Sequence, residues 1–168
     1  MTADLTRRGL LAAGAAVALS GCSSKFRRYD GPQVTRVVVA KEPRQMFLLH
    51  HGTVLRSYPV SLGFAPKGHK RMRGDGRTPE GRYIVDRRNP KSQFHLSVGI
   101  SYPDAEDIAR ARARGVDPGG DIFIHGAPNG QRRPPRGDWT AGCIAVKNRE
   151  IEEIYSMVAT GTVVDILA

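Results

Sequence analysis

Eight short runs of β-branched and aliphatic residues, closely spaced along the chain, constrain the fold more strongly than any other feature. They cover residues 37–39, 46–50, 53–60, 82–86, 94–100, 121–125, 143–146 and 162–167. Runs of this length suit strands, and the His51-Gly52 pair between the second and third runs predicts a hairpin turn. This pattern predicts a β-sandwich-like or barrel-like sheet rather than alternating βαβ units.

Two helices are predicted between these runs. The first is capped by Asp104 and ends before Gly115, and the second is capped by Asn148 and ends before Gly161. The second carries one apolar stripe, formed by Ile151, Ile154, Tyr155 and Val158. The expected fold class is therefore mainly β with two or three helices.

Residues 1–21 are predicted to be an export signal. Arg7 and Arg8 precede an apolar run over 9–19, which is too short to anchor the chain across a bilayer. The stretch Thr6-Arg7-Arg8-Gly9 also resembles a twin-arginine export motif.

The stretch Leu19-Ser20-Gly21-Cys22 resembles the lipobox of bacterial lipoproteins, whose cysteine is acylated and becomes the first residue of the mature protein. Residues 22–33 would then be a lipid-anchored tether, and residues 34–168 would form a single domain. We expect this domain in the cell envelope or periplasm, held to a membrane through Cys22. A plain secretory signal, cleaved near Ala18 or Gly21, is the alternative.

Strong positive charge limits the partners that the domain can have. The chain carries 26 Lys and Arg against 16 Asp and Glu, a net charge of +10. Such a balance often indicates nucleic-acid binding, but export and the lack of a basic motif interleaved with aromatic residues disfavour that partner. An anionic wall polymer or membrane surface is the better candidate, and a merely solubilising basic surface is the alternative.

His125 and Cys143 are the candidate reactive pair. Strand alternation places Ile122 and Ile124 on the core face and His125 on the opposite face, and Cys143 likewise points away from Ile144. Both residues lie where a strand meets the same glycine-rich loop, so a contact between them is geometrically easy.

A histidine beside a cysteine can carry out acyl-transfer chemistry. The imidazole stabilises a thiolate and donates a proton to a leaving amine, and backbone N–H groups near Gly142 can face a developing oxyanion. This chemistry needs no metal or cofactor. The two residues also fall short of a zinc site, because the sequence has no C-x-x-C or H-E-x-x-H pattern. A buried, inert Cys143 or a Cys22–Cys143 disulfide remains an alternative.

The residues "IHGAPNG…GDWTAGCIAVKN" resemble the catalytic signature of the YkuD-type L,D-transpeptidases, a His-Gly followed by Ser/Thr-x-Gly-Cys. The similarity extends from about residue 37 to the C-terminus and includes "YPVSLG" at 58–63 and "GDGRTPEG" at 74–81. The resemblance implies a β-sandwich-like catalytic domain that acts on peptidoglycan stem peptides. Residues 34–168 would be this domain.

The resemblance also implies roles for particular residues. Cys143 would attack the carbonyl of the L,D bond and form a thioester, and His125 would be the general base and acid. The backbone near Gly126 would orient the histidine ring. The remaining supporting positions, which would include the oxyanion hole, are Thr140, Ala141 and Gly142.

This chain departs from the family pattern after the cysteine, where Ala145 replaces an Arg or Asn of many members. Another cation would then have to bind the substrate carboxylate, and the candidates by charge and loop position are Arg77, Arg132, Arg133 and Arg136. The acyl acceptor can be a second stem, a protein lysine or water. A thiol carboxypeptidase or amidohydrolase and a non-catalytic wall-binding lipoprotein are therefore the alternative functions.

The lipobox generates a direct prediction. In native host cells, the mature protein should carry a diacyl or triacyl mass increment and partition into detergent, and Cys22→Ala should abolish both because it removes the acylated thiol. Cys143→Ala is the matched control and should keep the increment. Intact-protein mass spectrometry checks this, and unmodified Cys22 in soluble protein would refute lipidation.

Overall fold

The computed structural model describes residues 24–168, so the predicted signal segment and Cys22 lie outside the described residues. It contains eight strands and two helices, and it confirms the mainly β prediction. In chain order these are β1 (Arg36–Ala40), β2 (Gln45–His50), β3 (Thr53–Pro59), β4 (Gly81–Asn89), β5 (Ser97–Ile100), α1 (Ala105–Ala113), β6 (Phe123–His125), β7 (Ile144–Ala145), α2 (Asn148–Met157) and β8 (Val163–Leu167). Neither helix is long and apolar enough to cross a membrane.

The strands form one sheet in the order β3-β2-β1-β8-β4-β5-β6-β7. Strand β4 joins its two halves, because residues 81–84 pair with β8 and the segment from Val85 onward pairs with β5. The register shifts between Val85 and Arg87, and such an irregularity bends a strand and increases its twist. The sheet therefore curls, as a sandwich-like fold requires.

Backbone hydrogen bonds close this curl where β7 meets the segment after β3. Ser61 and Ala145 exchange two N–H···O bonds of 2.9 and 2.8 Å. The Thr140 amide donates to the Leu62 carbonyl at 3.1 Å, and its carbonyl accepts from the Phe64 amide at 2.9 Å. The stretch that follows β3 is therefore bonded directly to the loop that precedes Cys143.

Alternating residues of the strands fill the core, and α2 covers the half of the sheet that carries β5 and β6. Helix α2 buries Ile151, Ile154 and Met157. The predicted hairpin turn is present, with positive φ angles of 45° at His51 and 96° at Gly52.

The cap of α1 is as expected and the cap of α2 is not. Asp104 accepts from the Asp107 amide at 2.8 Å and forms a capping box. The N-cap of α2 is Lys147, so the prediction of Asn148 is wrong. The reason is tertiary: the Asn148 side-chain oxygen accepts from the Ala127 amide at 2.8 Å.

A buried ammonium group anchors the long loop between β3 and β4. Lys41 lies at the end of β1 with its side chain only 3% exposed. Its Nζ donates to the carbonyls of Gly68 at 2.7 Å and Thr78 at 3.0 Å, and it pairs with Glu80 at 2.7 Å. Thr78 is itself buried, and its hydroxyl accepts from the Gly63 amide at 3.0 Å. One side chain thus links the end of β1 to the middle of this loop and to its C-terminal end.

Lys41→Met should lower the free energy of unfolding by about 3 kcal/mol, because it leaves Glu80 and two carbonyls without their cation. Arg73→Gln is the control, since Arg73 pairs with Asp117 at the surface, where the two side chains are 70% and 57% exposed. Urea unfolding of both variants checks the difference. Equal effects would show that Lys41 contributes no more than a surface ion pair.

Candidate active site

His125 ends β6 in the middle of the curled half-sheet. It is opposite Ser97 of β5 and Ala145 of β7, and it is only 3% exposed. Two aromatic rings enclose the imidazole, with the centroid of Phe94 at 4.4 Å and that of Trp139 at 5.7 Å. This packing restricts the ring to one orientation.

The hydrogen bond of His125 selects its tautomer. Its Nδ1 lies 2.7 Å from the carbonyl oxygen of Gly126, so Nδ1 carries the hydrogen and Nε2 is the basic nitrogen. A Cβ at Gly126 would lie 2.6 Å from the Asn148 side-chain oxygen and 3.1 Å from the Phe94 carbonyl oxygen. Glycine is therefore needed at this position for steric reasons.

Cys143 lies immediately before β7, and its thiol contacts the backbone that leads into β6. Its Sγ accepts from the Phe123 amide and donates to the Asp121 carbonyl, each at 3.4 Å. The residue is partly exposed, which leaves one side of the sulfur open.

A tight turn holds the cysteine from its N-terminal side. The Thr140 hydroxyl donates to the Cys143 carbonyl at 2.6 Å and accepts from the Gly142 amide at 3.1 Å. Gly142 has a φ of +136°, and a Cβ there would lie 2.7 Å from the Arg77 carbonyl oxygen. Both the backbone conformation and this close contact exclude other residues.

These hydrogen bonds reduce the number of backbone amides that can serve as the oxyanion hole. The Gly142 amide is engaged by Thr140, so in this conformation it does not face a substrate, contrary to the sequence expectation. Among residues 24–168, the amides of Ala141 and Cys143 have no hydrogen-bond partner. These two amides are therefore the available oxyanion donors next to the sulfur.

His125 and Cys143 line one cavity of about 290 Å³. No hydrogen bond joins their side chains in the described part of the chain, and both residues face the same space. The other lining residues are Asn89, Ser92, Gln93, Phe94, Ser97, Asp121 and Phe123. This space is open to a substrate carbonyl that would lie against the sulfur.

Burial decides the charge state of the pair. It raises the pKa of the Cys143 thiol, as does the charge of Asp121, against the Phe123 amide and the more distant charges of Lys70 and Arg87. Burial also lowers the pKa of His125, while the Gly126 carbonyl partly opposes this. Both shifts disfavour a resting thiolate–imidazolium pair, contrary to the expectation that the imidazole stabilises a thiolate.

The arginines proposed from the sequence do not line this cavity. Arg132, Arg133 and Arg136 are exposed on the loop between β6 and β7. Arg77 places its carbonyl against Gly142, while its side chain lines neighbouring cavities. Their role in binding a substrate carboxylate stays a prediction.

The sequence reading missed four residues around the reactive pair. Phe94 and Trp139 enclose the imidazole, Asp121 lines the cavity beside the thiol, and Arg87 binds Asp121. Trp139 is the only tryptophan of the chain and stands four residues before the cysteine, a signal that could have identified it. No group of three or more potential metal ligands occurs among residues 24–168.

Comparison with known proteins agrees with this geometry. Residues 34–166 match the model of the YkuD family, described as an L,D-transpeptidase catalytic domain. Among curated proteins, the chain is 33% identical over 114 residues to YafK of Escherichia coli K12, which is named only provisionally as an L,D-transpeptidase. That alignment covers 66% of this chain and 39% of YafK.

Two solved structures show the same fold. The helical cell shape determining protein Pgp2 of Campylobacter jejuni is 26% identical, with a TM-score of 0.62 over 82% of this chain and 49% of that chain. The L,D-transpeptidase of Mycobacterium smegmatis is 17% identical, with a TM-score of 0.53 over 80% of this chain and 59% of that chain. The chain thus spans about half the length of these proteins.

The raised pKa of Cys143 predicts slow alkylation at neutral pH. In a Cys22→Ala background, iodoacetamide should modify Cys143 more slowly at pH 7 than a free thiol, because less thiolate is present. The rate should keep rising above pH 8.5, about the ordinary thiol pKa. His125→Gln should change it little, since burial disfavours the imidazolium that would stabilise a thiolate. Mass spectrometry follows the reaction, and fast modification at pH 6 that depends on His125 would indicate an ion pair.

Proposed function

The chain belongs to the YkuD family of L,D-transpeptidase catalytic domains, and from its site we propose that it modifies peptidoglycan stem peptides through a Cys143 thioester. One observation carries the proposal: a cysteine and a histidine of fixed tautomer line the same cavity. Free amides stand next to the sulfur. This combination suits acyl transfer.

The first half-reaction forms the thioester. As Sγ of Cys143 attacks the carbonyl carbon of the L,D bond, Nε2 of His125 takes the thiol proton, and the carbonyl oxygen becomes an oxyanion. The amides of Ala141 and Cys143 stabilise this charge. When the intermediate collapses, the C–N bond breaks and the imidazolium gives its proton to the departing amine.

The second half-reaction returns the enzyme to its starting state. An amine or a water molecule attacks the thioester carbonyl and gives a proton to Nε2, the C–S bond breaks, and the sulfur regains a proton from the imidazolium. Through both halves, the Gly126 carbonyl accepts from Nδ1 and so stabilises the imidazolium that forms.

Burial disfavours the charged forms of both residues in the free protein, and this suits the sequence of steps. The proton leaves the sulfur only as the new C–S bond forms, so the buried site never holds an isolated thiolate. The aromatic rings of Phe94 and Trp139 keep water from His125 and keep Nε2 directed at the cavity.

The identity of the acyl acceptor decides which of two reactions the enzyme carries out. With an amine of a second stem or of a protein lysine, the enzyme is a transpeptidase; with water, it is an L,D-carboxypeptidase. The similarity to Pgp2, a cell shape determining protein, supports a role in remodelling the envelope. The proposed lipid anchor at Cys22 would hold the domain within reach of the wall.

Unpaired cations on the same domain support contact with an anionic envelope surface. Arg71 and Arg114 line two adjoining cavities of about 450 and 440 Å³, and Arg77 lines the second of them. Among residues 24–168, none of these three guanidinium groups forms an ion pair. They would attract an anionic polymer or headgroup, which is also what the non-catalytic alternative requires.

Incubation with tetrapeptide-stem muropeptides tests the enzymatic proposal. The protein should release the terminal D-residue, and an added amine should appear in the product only if the enzyme is a transpeptidase. Cys143→Ala should abolish turnover, and His125→Gln should lower kcat by about 10²-fold or more, because the general base is lost. Mass spectrometry of the products measures both.

His95→Gln is the matched control, because His95 pairs with Glu152 at 2.8 Å and does not line the cavity. It should keep nearly full activity. Binding to wall material without any product from the unmodified protein would refute the enzyme and favour the wall-binding alternative.

A further inference from the structure

Asp121 places an exposed carboxylate at the mouth of the reactive cavity. Its side chain is 86% exposed, while its backbone carbonyl lies 3.4 Å from the Cys143 sulfur. Its φ is +55°, a conformation that few residues other than glycine adopt. The carboxylate is thus tied to the position of the nucleophile through its own backbone.

Arg87 of β4 supplies the opposite charge at the same point. Its guanidinium binds Asp121 at 3.0 Å and Asp86 at 2.7 Å, and it stacks over the Phe123 ring at 4.5 Å. Phe123 is the residue whose amide contacts the sulfur. With its side chain 40% exposed, Arg87 is held in place but remains accessible to a ligand.

Protein stability does not account for this pair. An ion pair this exposed contributes about 0–1 kcal/mol. A carboxylate near the sulfur also opposes the loss of the thiol proton that accompanies attack. A ligand that binds the pair explains its position better.

We propose that Asp121 and Arg87 recognise the zwitterionic end of the third stem residue, with its ammonium on Asp121 and its carboxylate on Arg87. The inference rests on the proposed function, which places the carbonyl of that residue at Cys143. A diaminopimelate side chain ends in an ammonium and a carboxylate on one carbon, and adjacent side chains of opposite charge complement such a group. Arg87 would supply the carboxylate partner that Ala145 cannot.

Recognition is thereby coupled to reactivity. When the substrate ammonium binds Asp121, it neutralises the charge that opposes ionisation of Cys143. The thiol then loses its proton more easily only when the correct stem is bound. Asp121 is a positioning and specificity residue in this scheme, because it does not contact the reacting carbonyl.

Three tetrapeptide stems separate the two contacts. They carry at the third position meso-diaminopimelate, its form with the side-chain carboxylate amidated, or lysine, which keeps the ammonium and lacks the carboxylate. The unmodified protein should prefer the first stem in kcat/KM by about tenfold or more. Arg87→Gln should remove this preference by slowing only the first stem, and Arg87→Lys should restore part of it.

Asp121→Asn should lower kcat/KM on all three stems by about tenfold, since each presents the ammonium. Its kcat should fall as well as its affinity, because the coupling to Cys143 is lost. Asparagine tolerates a positive φ, so the fold should be preserved. Arg82→Gln and Asp117→Asn remove the same charges outside the cavity, at side chains that are 67% and 57% exposed, and should leave all rates unchanged.

The outcomes separate the two proposals. If the unmodified protein processes no stem, the proposed function fails. If it processes stems but Arg87→Gln slows all three equally, or Asp121→Asn slows none, recognition by Asp121 and Arg87 is refuted. The proposed function then stands. Thermal melting of each variant identifies any loss that comes from unfolding.

Discussion

The geometry of the nucleophile depends on the close contact between two backbones, at Gly142 and at the carbonyl of Arg77. Arg77 belongs to the loop between β3 and β4, and the buried ammonium of Lys41 holds that loop by the neighbouring Thr78 carbonyl. From there the turn that begins at Thr140 determines where Cys143 lies. A buried cation at the end of β1 thus positions a sulfur atom far along the chain.

The reactive pair is also largely buried, but with fewer polar partners than Lys41 has. Three oxygen atoms accept hydrogen bonds from the Lys41 Nζ in the interior, whereas burial lowers the pKa of His125 and raises that of Cys143. The aromatic rings that orient His125 also remove it from water. The site therefore favours proton transfer during attack over a preformed thiolate, and substrate charges at Asp121 can adjust that balance.

The curled sheet brings these parts together. Strand β4 pairs with β8 through its first residues and with β5 through its last, and Arg87 lies just beyond the irregularity between the two. The bend brings Arg87 to the start of β6, where it contacts Asp121 and Phe123. The bend thus places a cation beside Asp121 from a strand that carries none of the catalytic signature.

The sequence by itself determined the strands, the hairpin turn and the reactive pair. Short β-branched runs, a turn pair of residue types that accept positive φ, and a His-Gly and Gly-Cys signature are local patterns, and local patterns are readable along a chain. Only the tertiary structure decided the rest. The N-cap of α2 is not Asn148 because its side chain bonds Ala127 instead, and burial raised the pKa of Cys143 and lowered that of His125. Arg87 could not be distinguished from other strand arginines, because charge, solvation and pairing depend on distant segments that meet only when the sheet curls.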